Sequence, residues 1–196
     1  MLMRSPRALA DLPVEPWKNG GGITRTLASF PDAATLDTFT WRISLAAVAV
    51  SGPFSAFSGV DRTIVLWSGH GMALRSAEVT HPLTHHFEPY SFSGDEAIEA
   101  TLIDGPTTDI NIMTRLGHAT STTCCCRETT LLDRPAQETF LISGAGIWSV
   151  ECADRSPVEL GPGEFMHISG LWPPVKLEPK SAENAVLVAS IYLSDG

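Results

Sequence analysis

The sequence predicts an all-β chain folded as two jelly-roll barrels in succession. Three observations carry that expectation. Helical periodicity is almost absent, and apolar residues recur at period two in short runs. Gly, Pro, Ser or Asp interrupts these runs about every 8 to 12 residues, the texture of a sandwich or barrel. Sixteen Gly and fourteen Pro supply the corners. With 43% hydrophobic and 18% charged residues, the 196-residue chain has apolar material for a core and no disordered character. At most one short helix is expected.

The first element follows Pro16-Trp17-Lys18-Asn19-Gly20-Gly21-Gly22, after which residues 23–28 alternate like a strand. Three consecutive glycines are entropically costly, so the chain needs positive φ or a close backbone approach there. Two readings stand. The segment is a tight turn leading into a strand, or a loop whose bare glycine amides, with Asn19 and Lys18, face a bound ligand. It is not a Walker-type phosphate loop, because no Gly-Lys-Ser/Thr follows and the next element is strand-like.

Trp41-Arg42-Ile43-Ser44-Leu45 is the next strand, with Arg42 and Ser44 on one face. Gly52-Pro53-Phe54-Ser55-Ala56-Phe57-Ser58-Gly59-Val60-Asp61-Arg62 reads as a loop clamped by its own aromatics, ahead of a strand starting at Thr63. Asp61 and Arg62 form either a local ion pair of small value or, through Arg62, a ligand contact. In Asp109-Ile110-Asn111-Ile112-Met113-Thr114-Arg115, the residues Asp109, Asn111, Met113 and Arg115 share one face. That face is the solvent side, or it lines a barrel mouth where Arg115 meets a carboxylate and Asn111 a carbonyl or amide. Residues 138–142 and 185–192 are strands by the same periodicity.

A repeat refines the fold. Val65-Leu66-Trp67-Ser68-Gly69-His70-Gly71-Met72 aligns with Phe140-Leu141-Ile142-Ser143-Gly144-Ala145-Gly146-Ile147, 75 positions later. Each copy is a strand, a Ser-Gly-X-Gly hairpin and a second strand. A Gly-acid turn follows in each half, Gly94-Asp95 and Gly163-Glu164. That is the rhythm of a cupin, and two rounds predict a double cupin with an N-terminal half over 1–118 and a C-terminal half over 119–196.

Composition excludes several functions. A net charge of −9 with ten Arg and three Lys argues against nucleic-acid binding. Arginine grips carboxylates through two parallel bonds, so a small anionic ligand fits the cation usage. No apolar signal segment opens the sequence, and no run of about 18 apolar residues occurs, so a cytoplasmic protein without a membrane partner is expected. The adjacent Cys124, Cys125 and Cys126 suit neither a disulfide framework nor a spaced zinc site. His85 and His86 point to opposite faces of a strand, and Pro82 breaks the ladder between His81 and His85. A metal-free barrel without cofactor is the expectation, with residues 81–86 as a solvated loop or rim.

The motifs at residues 16–24, 41–46, 52–62, 92–95 and 109–115, in that order, resemble those of the HutD/Ves family. The resemblance is dense over residues 12 to 118; beyond them only the generic second-cupin pattern remains. It implies a bicupin fold, an association with histidine utilisation in bacteria or with a stress response, and binding of a small anionic metabolite such as formylglutamate. The ligand-binding set under this reading is Trp17, Asn19, Gly20, Gly21, Arg42, Arg62, Asp109, Asn111 and Arg115. The expected role is regulatory, with homodimerisation left open. The alternative is a metal-free isomerase or hydrolase in which Asp109 or Asp61 is the general base, its pKa raised by burial.

Overall fold

The structure, a computed structural model, describes residues 2–153, 155–170 and 173–194. Its regular elements are strands, apart from a single 3-10 turn at Leu9–Asp11. In chain order the first ten are β1 Leu2–Met3, β2 Arg7–Ala8, β3 Glu15–Pro16, β4 Gly22–Phe30, β5 Trp41–Val48, β6 Gly52–Pro53, β7 Val60–Ser68, β8 Met72–Arg75, β9 Thr80–Leu83 and β10 Pro89–Ser93. The rest are β11 Glu99–Leu102, β12 Thr107–Arg115, β13 Ala119–Cys126, β14 Thr130–Leu132, β15 Glu138–Ala145, β16 Trp148–Cys152, β17 Val158–Leu160, β18 Glu164–Ser169, β19 Val175–Pro179 and β20 Ala185–Leu193. Among the described residues no helix is long and apolar enough to cross a membrane.

The chain forms two compact units, one over Leu12–Thr120 and one over Ser121–Leu193 that also takes in the N-terminal residues through Asp11. In the 12–120 unit a six-stranded antiparallel sheet in the order β10-β7-β12-β5-β4-β3 faces a four-stranded sheet in the order β6-β11-β8-β9. Val48, Ile64 and Leu66 from the first meet Met72, Leu74, Leu83 and Ala100 from the second. In the 121–193 unit the sheet β1-β18-β15-β20-β13, with β2 on β18, is accompanied by β14-β19-β16-β17. The core of this unit includes Leu141, Trp148, Val150, Leu160, Met166, Val175, Leu177 and Val186, all fully buried. Each such side chain contributes about 1.5–3 kcal/mol through its removal from water. The predicted all-β double jelly roll is the observed architecture.

The Ser-Gly-X-Gly segments differ from expectation in an instructive way. They do not close hairpins between paired neighbours. β7 and β8 lie in different sheets, as do β15 and β16, so each segment is a corner where the chain leaves one sheet for the other. Turning that corner puts Gly69, Gly71 and Gly146 at positive φ. At Gly71 a Cβ would collide with the carbonyl oxygen of Leu83, so only glycine fits.

Two further expectations are corrected. The strand after the aromatic loop starts at Val60, which puts Asp61 and Arg62 on opposite faces of β7. Asp61 is exposed and Arg62 buried, so they form no local pair. Pro82 does not break its ladder: it pairs with Ala73. It is tolerated because β9 is the edge strand of its sheet, where one side of the backbone needs no partner.

Candidate functional site

Strand register assembles the site. On β12, Asn111 lies opposite Ser44 of β5 and Ile64 of β7, Met113 opposite Arg42 and Arg62, and Asp109 opposite Ala46 and Leu66. Cross-strand partners share a face. Arg42, Ser44, Arg62, Asp109 and Asn111 therefore point to the same side as the core residues Ile64 and Leu66, which is the inside of the barrel. All five are buried. The inner face of the 12–120 unit is thus apolar toward β8 and β11 and polar along β12, β5 and β4. The core of the 121–193 unit is mainly apolar, and the buried polar side chains on its inner face are the small hydroxyls of Thr139, Ser143 and Ser190.

Arg42 lines a cleft. Its guanidinium donates from Nη1 to Ser44 Oγ at 3.0 Å and from Nη2 to Thr26 Oγ1 at 2.7 Å. Thr26 donates in turn to Glu15 Oε1 at 3.1 Å. Around them opens a cleft of about 510 Å³ lined by Glu15, Thr26, Ser29, Arg42 and the loop 32–36. Burial pulls the Arg42 pKa below its ordinary value, with Glu15 opposing. No carboxylate among the described residues lies within ion-pair distance of this guanidinium.

Arg62 is committed inside the protein. It donates to Asn111 Oδ1 at 2.7 Å and to the Ser55 carbonyl at 3.3 Å. Its guanidinium carbon lies 5.5, 5.4 and 4.9 Å from the ring centroids of Phe54, Phe57 and Phe92, an aromatic cage that favours the cation. Burial lowers its pKa to about 10, with Asp109 opposing. Asn111 donates its amide to Asp109 Oδ1, while Asp109 Oδ2 has no hydrogen-bond partner among the described residues. Burial pushes the Asp109 carboxyl up to about 7, opposed by the Arg62 charge and the Asn111 bond. Asp109 thus holds its proton far above the ordinary carboxylate range, yet it is fully enclosed.

Other expected residues lie apart from this group. Arg115 donates from Nε to the Phe39 carbonyl at 3.0 Å and from Nη2 to the Asp37 carbonyl at 3.1 Å, with its guanidinium carbon 5.4 Å from the Phe39 ring centroid. It secures the segment before β5. The glycine segment is a closed turn between β3 and β4. Gly20 N–H donates to the Trp17 carbonyl at 3.0 Å and Gly21 N–H to Asn19 Oδ1 at 3.0 Å, so these amides serve the turn itself. Trp17 donates to Thr24 Oγ1 at 2.7 Å and packs on the barrel core. A Cβ on Gly22 would strike the Ala47 carbonyl oxygen and crowd the Trp17 ring, which accounts for the third glycine.

Comparison with known proteins places this architecture. The HutD family matches residues 9–186. The chain belongs to the HutD family. It is 44% identical over 109 residues to Protein Ves of Citrobacter koseri, covering 55% of this chain and 56% of that one. Protein Ves of Escherichia fergusonii is 38% identical over 108 residues, with the same coverage. The chain thus spans 56% of the length of these curated relatives. Among solved structures, a conserved protein of unknown function from Pseudomonas aeruginosa PAO1 superposes with a TM-score of 0.88 at 27% identity, over 98% of this chain and 100% of that one. HutD from Pseudomonas fluorescens SBW25, in a formate condition, gives 0.84 at 26% identity, over 99% and 100%. Lactobacillus farciminis oxalate decarboxylase, at 7% identity and TM-score 0.67 over 98% and 86%, shares the fold.

The resemblance to cupins raises the question of a metal. In this HutD-family chain the inner polar set does not fit one. Its donors are two guanidiniums, an amide, hydroxyls and a single carboxyl, and no histidine joins them. Guanidiniums repel a cation, and the usual transition-metal ligands are imidazoles and thiolates. His81, expected at the rim, is half-buried and stacks on Tyr90 with centroids 3.6 Å apart. His85 and His86 are exposed between β9 and β10. Sequence reasoning missed Glu15, Thr26 and the cleft. Thr26 shares strand parity with Thr24, but its approach to Arg42 is visible only once β4 pairs with β5.

Proposed function

We propose that this HutD-family chain binds a small carboxylate-bearing metabolite, with the ligand carboxylate on Arg42 in the cleft beside β4. One observation carries the reading: a largely buried guanidinium, bonded to two neutral hydroxyls and lacking an ion-pair partner among the described residues, lines an open cleft. Buried charges are normally paired, and arginine retains donors for a bidentate carboxylate after making those two bonds. The formate condition of the Pseudomonas fluorescens relative supports the same chemistry, formate being the smallest carboxylate. The family resemblance extends the proposal to a regulatory binding role in histidine utilisation or a stress response, in the cytoplasm. Of the two readings, binding is preferred over turnover because Asp109, the one carboxylic acid among the described residues with a strongly raised pKa, is fully enclosed.

The test is calorimetric titration with N-formyl-L-glutamate and with L-glutamate. Arg42→Ala is expected to weaken binding by on the order of 2 kcal/mol, with Arg42→Lys intermediate because it keeps the charge and loses the fork. Equal affinity of the wild type and a folded Arg42→Ala variant would remove Arg42 from the site. Absence of binding by both probes would overturn the proposal.

A further inference from the structure

The cleft around Arg42 contains acids as well as a base, and this narrows what it accepts. Glu15 and Asp32 line it together with the single guanidinium. Their positions matter more than their number. Arg42 Nη2 donates to Thr26 Oγ1 at 2.7 Å, and Thr26 donates to Glu15 at 3.1 Å. These two bonds set an upper limit of about 6 Å between the guanidinium nitrogen and the Glu15 carboxylate. Thr26 thus bridges the two charges and orients both toward the cleft, while Asp32 adds a second negative charge from the 32–36 loop. A ligand carrying only carboxylates would find Arg42 attractive and the rest of the wall repulsive. In a concave site field lines are focused, which strengthens that repulsion.

We infer that the cleft selects an α-amino acid with a free α-ammonium group, its carboxylate on Arg42 and its ammonium on Glu15, with Asp32 adding to the attraction. The inference rests on the carboxylate-binding reading above and adds the second half of the ligand. Closely spaced opposite charges on the ligand match the closely spaced opposite charges of Arg42 and Glu15. The methyl and isobutyl groups of Ala28, Ala33, Ala34 and Leu36 supply an apolar wall along which the methylenes of the ligand's side chain can lie. A volume of about 510 Å³ is ample for a molecule of that size. Acylating the nitrogen removes its charge and sets a neutral amide against two carboxylates.

Three probes with related skeletons separate the outcomes by calorimetry: L-glutamate, N-formyl-L-glutamate and glutarate. The expected result is that L-glutamate binds about tenfold or more tightly than the other two. The double substitution Glu15→Gln and Asp32→Asn should reduce that preference to within about threefold and leave glutarate binding equal or stronger. Both positions are exposed. The side-chain carbonyl oxygen introduced by Glu15→Gln still accepts the Thr26 hydroxyl, so the variant keeps the local structure, checked by circular dichroism. If N-formyl-L-glutamate or glutarate binds as tightly as L-glutamate, or if the double variant keeps the preference, the inference falls and the carboxylate reading stands. If none of the three binds, both fall.

Discussion

Asp109 shows how much a single residue's surroundings alter its chemistry. Its carboxyl shares a strand face with Asn111, a relation legible from spacing alone. Its pKa near 7 is not legible, because the cause is enclosure between β5 and β7, strands far from β12 in the sequence. A folded pKa raised above the ordinary 3.8 means that the folded protein holds a proton the unfolded chain releases. The associated stability is complete below about pH 4 and is lost as the pH rises through about 7. Asp109→Asn cannot ionise and should escape that loss. Urea unfolding at about pH 4.5 and about pH 8 should show wild type losing about 3 kcal/mol more than the variant across the interval. Parallel pH profiles would mean that the carboxyl titrates normally. At the same scale, Arg42 and Arg115 look alike in the sequence as arginines at strand parity. Their neighbours in space separate them: Arg42 meets two hydroxyls and a cleft, Arg115 two carbonyl oxygens and a ring.

At the scale of elements, the Ser-Gly-X-Gly segments are visible in the sequence as a repeat but not as corners. A hairpin and a sheet-to-sheet corner use the same residues, since both need positive φ. Which one forms depends on whether the flanking strands find partners in one sheet or two. Gly71 and Gly105 offer a controlled comparison. Their φ values are 90° and 92°, but a Cβ would strike the Leu83 backbone at Gly71 and meet open space at Gly105. Gly105→Ala should cost about 1 kcal/mol, the strain of the conformation alone. Gly71→Ala should cost about 3 kcal/mol or more, because the backbone of β9 must also move. Equal losses in urea unfolding would show that the corner has room. The acids of the Gly-acid turns likewise have local work: Asp95 accepts the Gly59 amide at 3.3 Å and Glu164 the Gly161 amide at 2.8 Å.

Over the whole molecule, two units of similar architecture have diverged in their interiors. Both are antiparallel and both turn their corners on Ser-Gly-X-Gly, yet the charged side chains Arg42, Arg62 and Asp109 are buried in one, whereas the other buries only small hydroxyls among its apolar side chains. Function should therefore map to the 12–120 unit and stability to both. Leu177→Ala removes a fully buried side chain from the 121–193 unit, at a cost of about 2–5 kcal/mol. Affinity measured on the folded fraction should be unchanged. A loss of affinity beyond that explained by unfolding would show that the second unit contributes to binding. The sequence by itself determined the fold class, the repeat and the shared face of Asp109 and Asn111, because strand periodicity and turn chemistry are local properties of the chain. Only the tertiary structure decided that this face is the inside, that Arg62 is caged by phenylalanines, and that Arg42 meets Glu15 through Thr26 at a cleft. Those outcomes depend on register between strands distant in sequence, which local pattern does not encode.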